Sequence, residues 1–156
     1  YEESLASARQ RQDRSSVALI LGNLSLVKIE AGDYAAALDL QTESLTTSIQ
    51  PVSPNWLAKC LENFAMIAAA TGQPERSAHC FGAAAALRDR VGSTMQQNDR
   101  EITERYMARA RNALGDERFD QVAAAVQDWS IEQMIDHALC ATDQQGAPPA
   151  AAKLTG

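Results

Sequence analysis

Asn23-Leu24-Ser25, followed by Ala31-Gly32-Asp33-Tyr34 and then Ala37, Ser44 and Leu45, returns as Asn63-Phe64-Ala65, Thr71-Gly72-Gln73-Pro74, Ser77, Ala84 and Ala85. Positions 23 and 63, 32 and 72, 37 and 77, and 44 and 84 each lie 40 residues apart. A fixed period in this range marks stacked supersecondary units, each burying an apolar face on the next. Glu3-Ser4-Leu5 stands 40 residues before Glu43-Ser44-Leu45, so half of a third copy opens the chain.

The turns define the elements. Glu2 to Gln12 is amphipathic at helical spacing. Asp13 can accept from free backbone N–H groups and cap a helix from Arg14 to Ala31. Leu21, Leu24, Val27 and Ala31 lie along one face of it, and Leu19 and Leu26 on another, which predicts a helix packed on two sides. Gly32 suits a left-handed helix end, and Asp33 then caps a helix from Tyr34 to Ile49. Ser53 and Pro54 start a helix to Thr71; Gly72 stops it, and Pro74 starts another to about Val91. Two-residue turns make the helices within a unit antiparallel neighbours. Ser93 to Gln97 reads as a loop. Asn98-x-x-Glu101 resembles a capping box for a helix to Leu114. Asp116 is expected to cap a helix from Glu117 to Gln127, and Ser130-x-x-Gln133 one from Ile131 to Cys140. From Thr142 onward large apolar residues are nearly absent, and residues 142–156 are expected to be a disordered tail.

The composition agrees. Hydrophobic residues are 46% of the 156, aromatics 5%, and 29 residues are alanine. Alanine favours helices whose backbones approach closely, whereas a sheet wants β-branched and aromatic residues. A net charge of −6 argues against holding a nucleic-acid backbone, which needs clustered positive charge. The apolar run from Val17 to Ile29 is interrupted by Asn23, Ser25 and Lys28 and is too short to span a bilayer. Three cysteines (Cys60, Cys80 and Cys140) without a Cys-x-x-Cys predict reduced thiols and a cytoplasmic setting. The start on Tyr1, in mid-helix pattern, suggests a fragment of a longer protein.

Asn23-Leu24-Ser25, Gly32-Asp33-Tyr34 and Ala37 together resemble the tetratricopeptide repeat (TPR), a helix–turn–helix unit of ~34 residues. Ser25 and Ala65 stand where that family prefers Gly, and Gln41 and Phe81 where it prefers an aromatic residue. The resemblance covers residues 1–91. It implies an all-α fold, a right-handed α-solenoid of antiparallel helix pairs with about eight helices and a C-terminal capping helix. Residues 1–12 would be the second helix of a truncated repeat, 14–49 and 54–91 two repeats, and 98–140 a degenerate helix pair plus the cap. The longer period, with Gly72-Gln73-Pro74-Glu75-Arg76-Ser77-Ala78, Phe81-Gly82-Ala83-Ala84, Ala113-Leu114-Gly115 and Ser130-Ile131-Glu132-Gln133, resembles the C-terminal arms of large bacterial LuxR-type and antibiotic-regulator-type (STAND ATPase) transcriptional regulators. The turn before the last helix departs from that pattern, with Gln127-Asp128-Trp129 where a Gly is usual.

In the TPR family first helices line a concave groove. The resemblance therefore places Asn23, Lys59, Asn63 and Trp56 there, as contacts for a peptide or small effector. In some relatives an Asn at this place, with a nearby Lys, clamps a peptide backbone or carboxylate; an amide suits that work because it donates and accepts at once. The competing reading is helix packing for the Asn pair, a solvated Lys59 and a packed Trp56.

Other constellations point less clearly to chemistry. Asp136, His137 and Cys140 share two helical turns, without the glycine-rich turn a nucleophile site would need. His79 and Cys80, with Cys60 on the neighbouring helix, fall one short of a tetrahedral zinc set. Arg100, Arg105, Arg109 and Arg111 read as a solvated face, with Glu101 and Arg105 as an i, i+4 pair. Trp129 is expected to pack the end cap on the stack. No phosphate-loop motif is present. The expectation is a non-catalytic interaction or sensor domain of a transcriptional regulator, without cofactor or metal. Its partner would be a protein, a peptide, another domain of the parent chain or a small effector, and not nucleic acid or membrane. The alternatives are a self-association scaffold, pairing into a homodimer through its N-terminal end, and, remotely, an all-helical enzyme.

Overall fold

The computed structural model describes residues 1–48 and 50–146, with side chains through Cys140. Among the described residues eight helices follow one another: α1 (Glu2–Gln10), α2 (Arg14–Glu30), α3 (Tyr34–Thr47), α4 (Pro54–Ala70), α5 (Pro74–Val91), α6 (Gln97–Leu114), α7 (Asp116–Ala124) and α8 (Ile131–Gly146). Among the described residues there is no strand, and the fold is all-helical.

Local chemistry accounts for most of the boundaries. Asp13 accepts from the Ser16 N–H at 3.1 Å and Asp33 from the Ala36 N–H at 3.3 Å, each satisfying a donor that the helix cannot. Ser130 and Gln133 form a reciprocal capping box, at 2.8 and 3.1 Å. Gly32 and Gly72 take φ of +79° and +78°, the left-handed region an L side chain avoids. Gln12 holds φ +58° at the same place in the α1–α2 turn, at a cost of about 1 kcal/mol.

Several boundaries differ from expectation, each for a local reason. Ser53 makes no side-chain cap bond: Pro54 sets the first helical turn, and the first intrahelical bond runs from the Leu57 N–H to the Ser53 carbonyl at 2.9 Å. Asn98 does not cap, because α6 starts earlier, on an extended Gln96, and the Asp99 N–H already reaches the Gln96 carbonyl at 3.1 Å. Asp116 is the first residue of α7 rather than its cap. Gly115, at φ +85° and ψ 148°, serves both helices in a conformation open only to glycine. α3 ends at Thr47 because the Ser48 hydroxyl turns back to the Leu45 carbonyl at 2.6 Å. α8 continues to Gly146, past the expected end at Cys140, so the expected tail is helical over 142–146; its remainder, 147–156, lies outside the described residues.

Consecutive helices pack on one another from α1 to α7, and α2 also meets α4, α4 meets α6, and α5 meets α7. α4 is the hub. It touches α2, α3, α5, α6 and α8 and is buried nearly all round from Leu57 to Ala68, including the polar Glu62 and Asn63. The two repeats are pinned by one hydrogen bond with its ends exchanged. Ser25 Oγ of α2 donates to the Ala37 carbonyl of α3 at 2.8 Å; Ser77 Oγ of α5 donates to the Ala65 carbonyl of α4 at 2.8 Å. Residues 25 and 65, and 37 and 77, are the matching positions of the period, so the small residue at each crossing is either the donor or the close-packed partner. Tyr106 closes the other side: its hydroxyl donates to the Ile29 carbonyl at 3.2 Å and meets the Tyr34 hydroxyl at 3.1 Å, which ties α6 to the α2–α3 turn.

Candidate functional site

Asn23, Trp56, Lys59 and Asn63 all stand on α2 and α4, which are in contact. Their environments separate them. Asn63 is 3% exposed. Its amide N–H groups go to Gln41 Oε1 on α3 at 2.8 Å and to the Gly22 carbonyl on α2 at 3.3 Å. It is a buried joint between three helices. Gln41, fully buried where the TPR resemblance favours an aromatic ring, is its partner, and Gln41 Nε2 is left without one.

Lys59 is half-buried and already engaged. Its ammonium donates to Asn23 Oδ1 at 3.3 Å and lies 3.7 Å from Asp99 Oδ2 of α6. An ion pair this long and partly solvated contributes only about 0–1 kcal/mol, so an incoming carboxylate can replace Asp99 at little cost. Around it Asn55, Arg88, Thr94 and Gln96 wall a polar hollow of about 230 Å³. Trp56 begins α4 and lays its ring on Gly22 of α2: a Cβ added at Gly22 would stand 2.6 Å from Trp56 Cη2. Trp56 also lines a cavity of about 350 Å³ with Ala18 and Leu19 of α2 and Pro51 and Val52 of the α3–α4 connection. Trp56 is therefore both packed and cavity-lining.

Behind this face lies a pair that local sequence does not announce. Glu62, 5% exposed, meets Arg88 of α5 at 2.5 Å. Burial raises the Glu62 carboxyl above its ordinary range, and the Arg88 hydrogen bond and charge oppose that rise. The two residues stand 26 positions apart on different helices, and no spacing rule joins them.

Of the three cysteines, Cys140 is exposed. Cys60 and Cys80 are buried, and burial pushes both thiols up to about 12, so they are not poised as thiolates. No group of three or more His, Cys, Asp or Glu side chains among the described residues is placed to hold a metal ion. Arg111 of α6, rather than Arg105, carries ion pairs, and they run to α7, with Asp120 at 2.9 Å and Asp116 at 3.4 Å; its guanidinium also covers the Phe119 ring of α7 at 4.3 Å.

His137 meets Trp129 and His79, with ring centroids 5.0 and 5.2 Å away, and Arg76 donates to its carbonyl at 2.9 Å. Burial, then the charges of Arg76 and His79, lower the His137 imidazole to about 4. His79 is lowered too, chiefly by burial, with Glu75 opposing and Arg76 and Arg118 assisting. A folded-state value below the unfolded 6.5 means that the neutral ring is favoured by folding. That stability is complete above pH 6.5 and is lost as pH falls toward 4. The ring is only half-buried, so the loss is on the order of 1 kcal/mol after solvent screening. His137→Phe should flatten the decline in melting temperature between pH 6.5 and 4; an unchanged slope would remove His137 as its cause.

No helix among the described residues is long and apolar enough to cross a membrane. No family model, curated protein or solved structure matches the chain.

Proposed function

We propose that this chain is a non-catalytic reception unit, a TPR-like α-solenoid that takes a peptide or small effector on the face of α2 and α4. We read it as the arm of a larger regulator of the LuxR-type class. The reading is carried by one juxtaposition: an exchangeable ammonium, Lys59, on the same helix as the cavity-lining Trp56, three positions away. The apolar recess at Trp56 and the polar hollow at Lys59 share no wall residue, so a ligand that reaches both needs an apolar body and a carboxylate set apart from it, such as a peptide C-terminus. The 40-residue repeat supports the solenoid, and the consecutive contacts of α2, α4 and α6 are the neighbours such a stack requires.

The roles of Lys59 and Asn63 divide in a testable way. Lys59→Ala should leave the melting temperature of the free protein within a few degrees, since it removes one long, partly solvated ion pair and one long hydrogen bond to Asn23. Asn63→Ala should lower stability by about 1–3 kcal/mol, because it strands the buried side-chain oxygen of Gln41 and removes the second bond to the Gly22 carbonyl, which keeps its partner within α2. Fluorescence anisotropy with a library of labelled peptides ending in a free carboxylate should find binders, and Lys59→Ala should weaken them about tenfold. Binders insensitive to Lys59→Ala, or none at all, would sink the carboxylate reading.

Self-association keeps one supporting observation: Leu19 and Val27 of α2 are 48% and 44% exposed. Sedimentation over a dilution series decides it, since a chain that stays monomeric throughout cannot be a scaffold of its own copies.

A further inference from the structure

Two histidines meet where α8 lies on α5. The His137 ring stands edge-on to the His79 ring, with centroids 5.2 Å apart and planes at 84°, and the Trp129 ring lies 5.0 Å from the first and 5.8 Å from the second. His137 Nε2 is closed off from solvent and has no hydrogen-bond partner. A neutral imidazole tolerates this, because one of its nitrogens is an acceptor only, whereas an imidazolium carries an N–H on both. Protonated in place, His137 would hold a charged donor with no acceptor in reach, which is costly.

The surrounding charges oppose protonation as well. Arg76 of α5, 8% exposed, donates to the His137 carbonyl at 2.9 Å. Arg76 and His79 are the charges that act on His137; Glu75 and Arg76 of α5 and Arg118 of α7 act on His79. Glu75 is the one acid in this set, and Arg118 already holds it through bonds of 2.7 and 3.1 Å. α3 and α4 also pack on α8, and no charged group of either acts on the two rings. Glu132 and Asp136 of α8 itself are exposed and do not act on them either. A docked α8 therefore suits neutral histidines and not a protonated pair.

The seating of α8 lets it respond. Among its residues with described side chains Met134 and Ala138 are fully buried, while Ile131, Ile135 and Leu139 pack on the core only in part. Its start is fixed separately. Arg90 of α5 donates to the Gln127 and Trp129 carbonyls at 2.6 and 2.8 Å and so ties down the α7–α8 connection. A terminal helix with few buried apolar groups, beyond an anchored turn, belongs to the part of a fold that opens first.

We infer that α8 is an acid-released latch: protonation of His137 and His79 lifts it off α3, α4 and α5 about the connection that Arg90 holds, while α1 to α7 stay folded. Release uncovers the apolar surface beneath Met134 and Ala138. The device is independent of the ligand reading at Lys59, and it acts on one helix before the whole chain melts.

The test is amide hydrogen exchange followed by NMR on the 156-residue chain, corrected for intrinsic exchange rates, from about pH 7 to about pH 4.5. The opening constant of the Ile135–Leu139 amides should rise about tenfold over that interval, the equivalent of one unit of linked titration. The amides of α2, which α8 does not touch, should stay within about twofold. His137→Phe keeps an aromatic ring against Trp129 and should remove most of the rise; adding His79→Phe should remove the rest. The unmodified chain gives a second reading that needs no variant: the His137 ring-proton resonance should titrate over the same pH interval in which α8 loses protection. Equal rises in α2 and α8 would mean global unfolding and overturn the latch. A rise that survives the double substitution, or a His137 that titrates while α8 stays protected, would overturn it too.

Discussion

Gly82→Ala should lower the melting temperature by about 2–8 °C, although alanine is the better helix former. Gly82 is buried in the middle of α5, where α7 crosses. A Cβ there would stand 2.3 Å from the Ala123 carbonyl oxygen, 2.7 Å from its Cα and 2.9 Å from its carbonyl carbon. All three are backbone atoms, so no rotamer change relieves the clash and the whole of α7 must move. Overpacking of this kind costs about 1–3 kcal/mol and occasionally more, against a gain of about 1 kcal/mol in helix propensity. For a chain of this length each kcal/mol moves the transition by about 2–4 °C. Ala123→Gly should not rescue the variant, since the obstructing atoms belong to the main chain. Gly22→Ala is the internal comparison: its added methyl meets the Trp56 ring, a side chain that can tilt. That variant should cost less stability and displace the Trp56 indole resonance. A Gly82→Ala protein that melts at or above the parent temperature would show that α5 and α7 do not approach this closely.

The contrast among the glycines also separates what local sequence discloses from what the tertiary fold decides. Gly32 and Gly72 are legible as helix ends because the physics is local: a left-handed residue ends a helical pattern, and Asp33 or Pro74 starts the next one. The Ser130–Gln133 box is legible for the same reason, as both partners lie within one turn. Alanine richness announces close helix crossings, but not that Gly82 meets Ala123, because the crossing depends on where α7 lands. The site is less legible still. Trp56 rests on a glycine 34 positions away, and Asn63 bonds to Gln41 across 22. Gln41 carries a signal, a polar residue at an aromatic position, which a matching buried amide explains. Ser53 misleads in the opposite direction: its position before Pro54 suggests a cap, and only the tertiary fold turns it toward a cavity. Nothing near Glu62 distinguishes it from a solvated helix glutamate, since its burial is imposed by α5 and α6.

Arg88→Met should be the most damaging single change outside the apolar core, lowering stability at neutral pH by about 3–5 kcal/mol, or roughly 10 °C in melting temperature. Methionine keeps much of the arginine stem's packing, so the loss isolates the charge. Without the guanidinium, Glu62 remains almost wholly enclosed and loses its partner at 2.5 Å. Its carboxyl is already raised by burial, with Arg88 as the main opposing influence, so removing Arg88 raises it further. A raised folded-state value means that the native state holds a proton the unfolded state has released. Stability attached to that proton is complete below the unfolded value near 4.5 and is lost as pH rises through the folded one. The deficit of Arg88→Met relative to the parent should therefore shrink as pH falls from neutral toward 4.5, opposite in sign to the His137 effect. Adding Glu62→Gln should recover most of the deficit at neutral pH and abolish its pH dependence, because a neutral amide has no charge to strand. A deficit that is the same at every pH, or one that Glu62→Gln fails to reduce, would mean that Arg88 stabilises the fold through its packing and its bond to the Thr94 carbonyl rather than through the buried carboxylate.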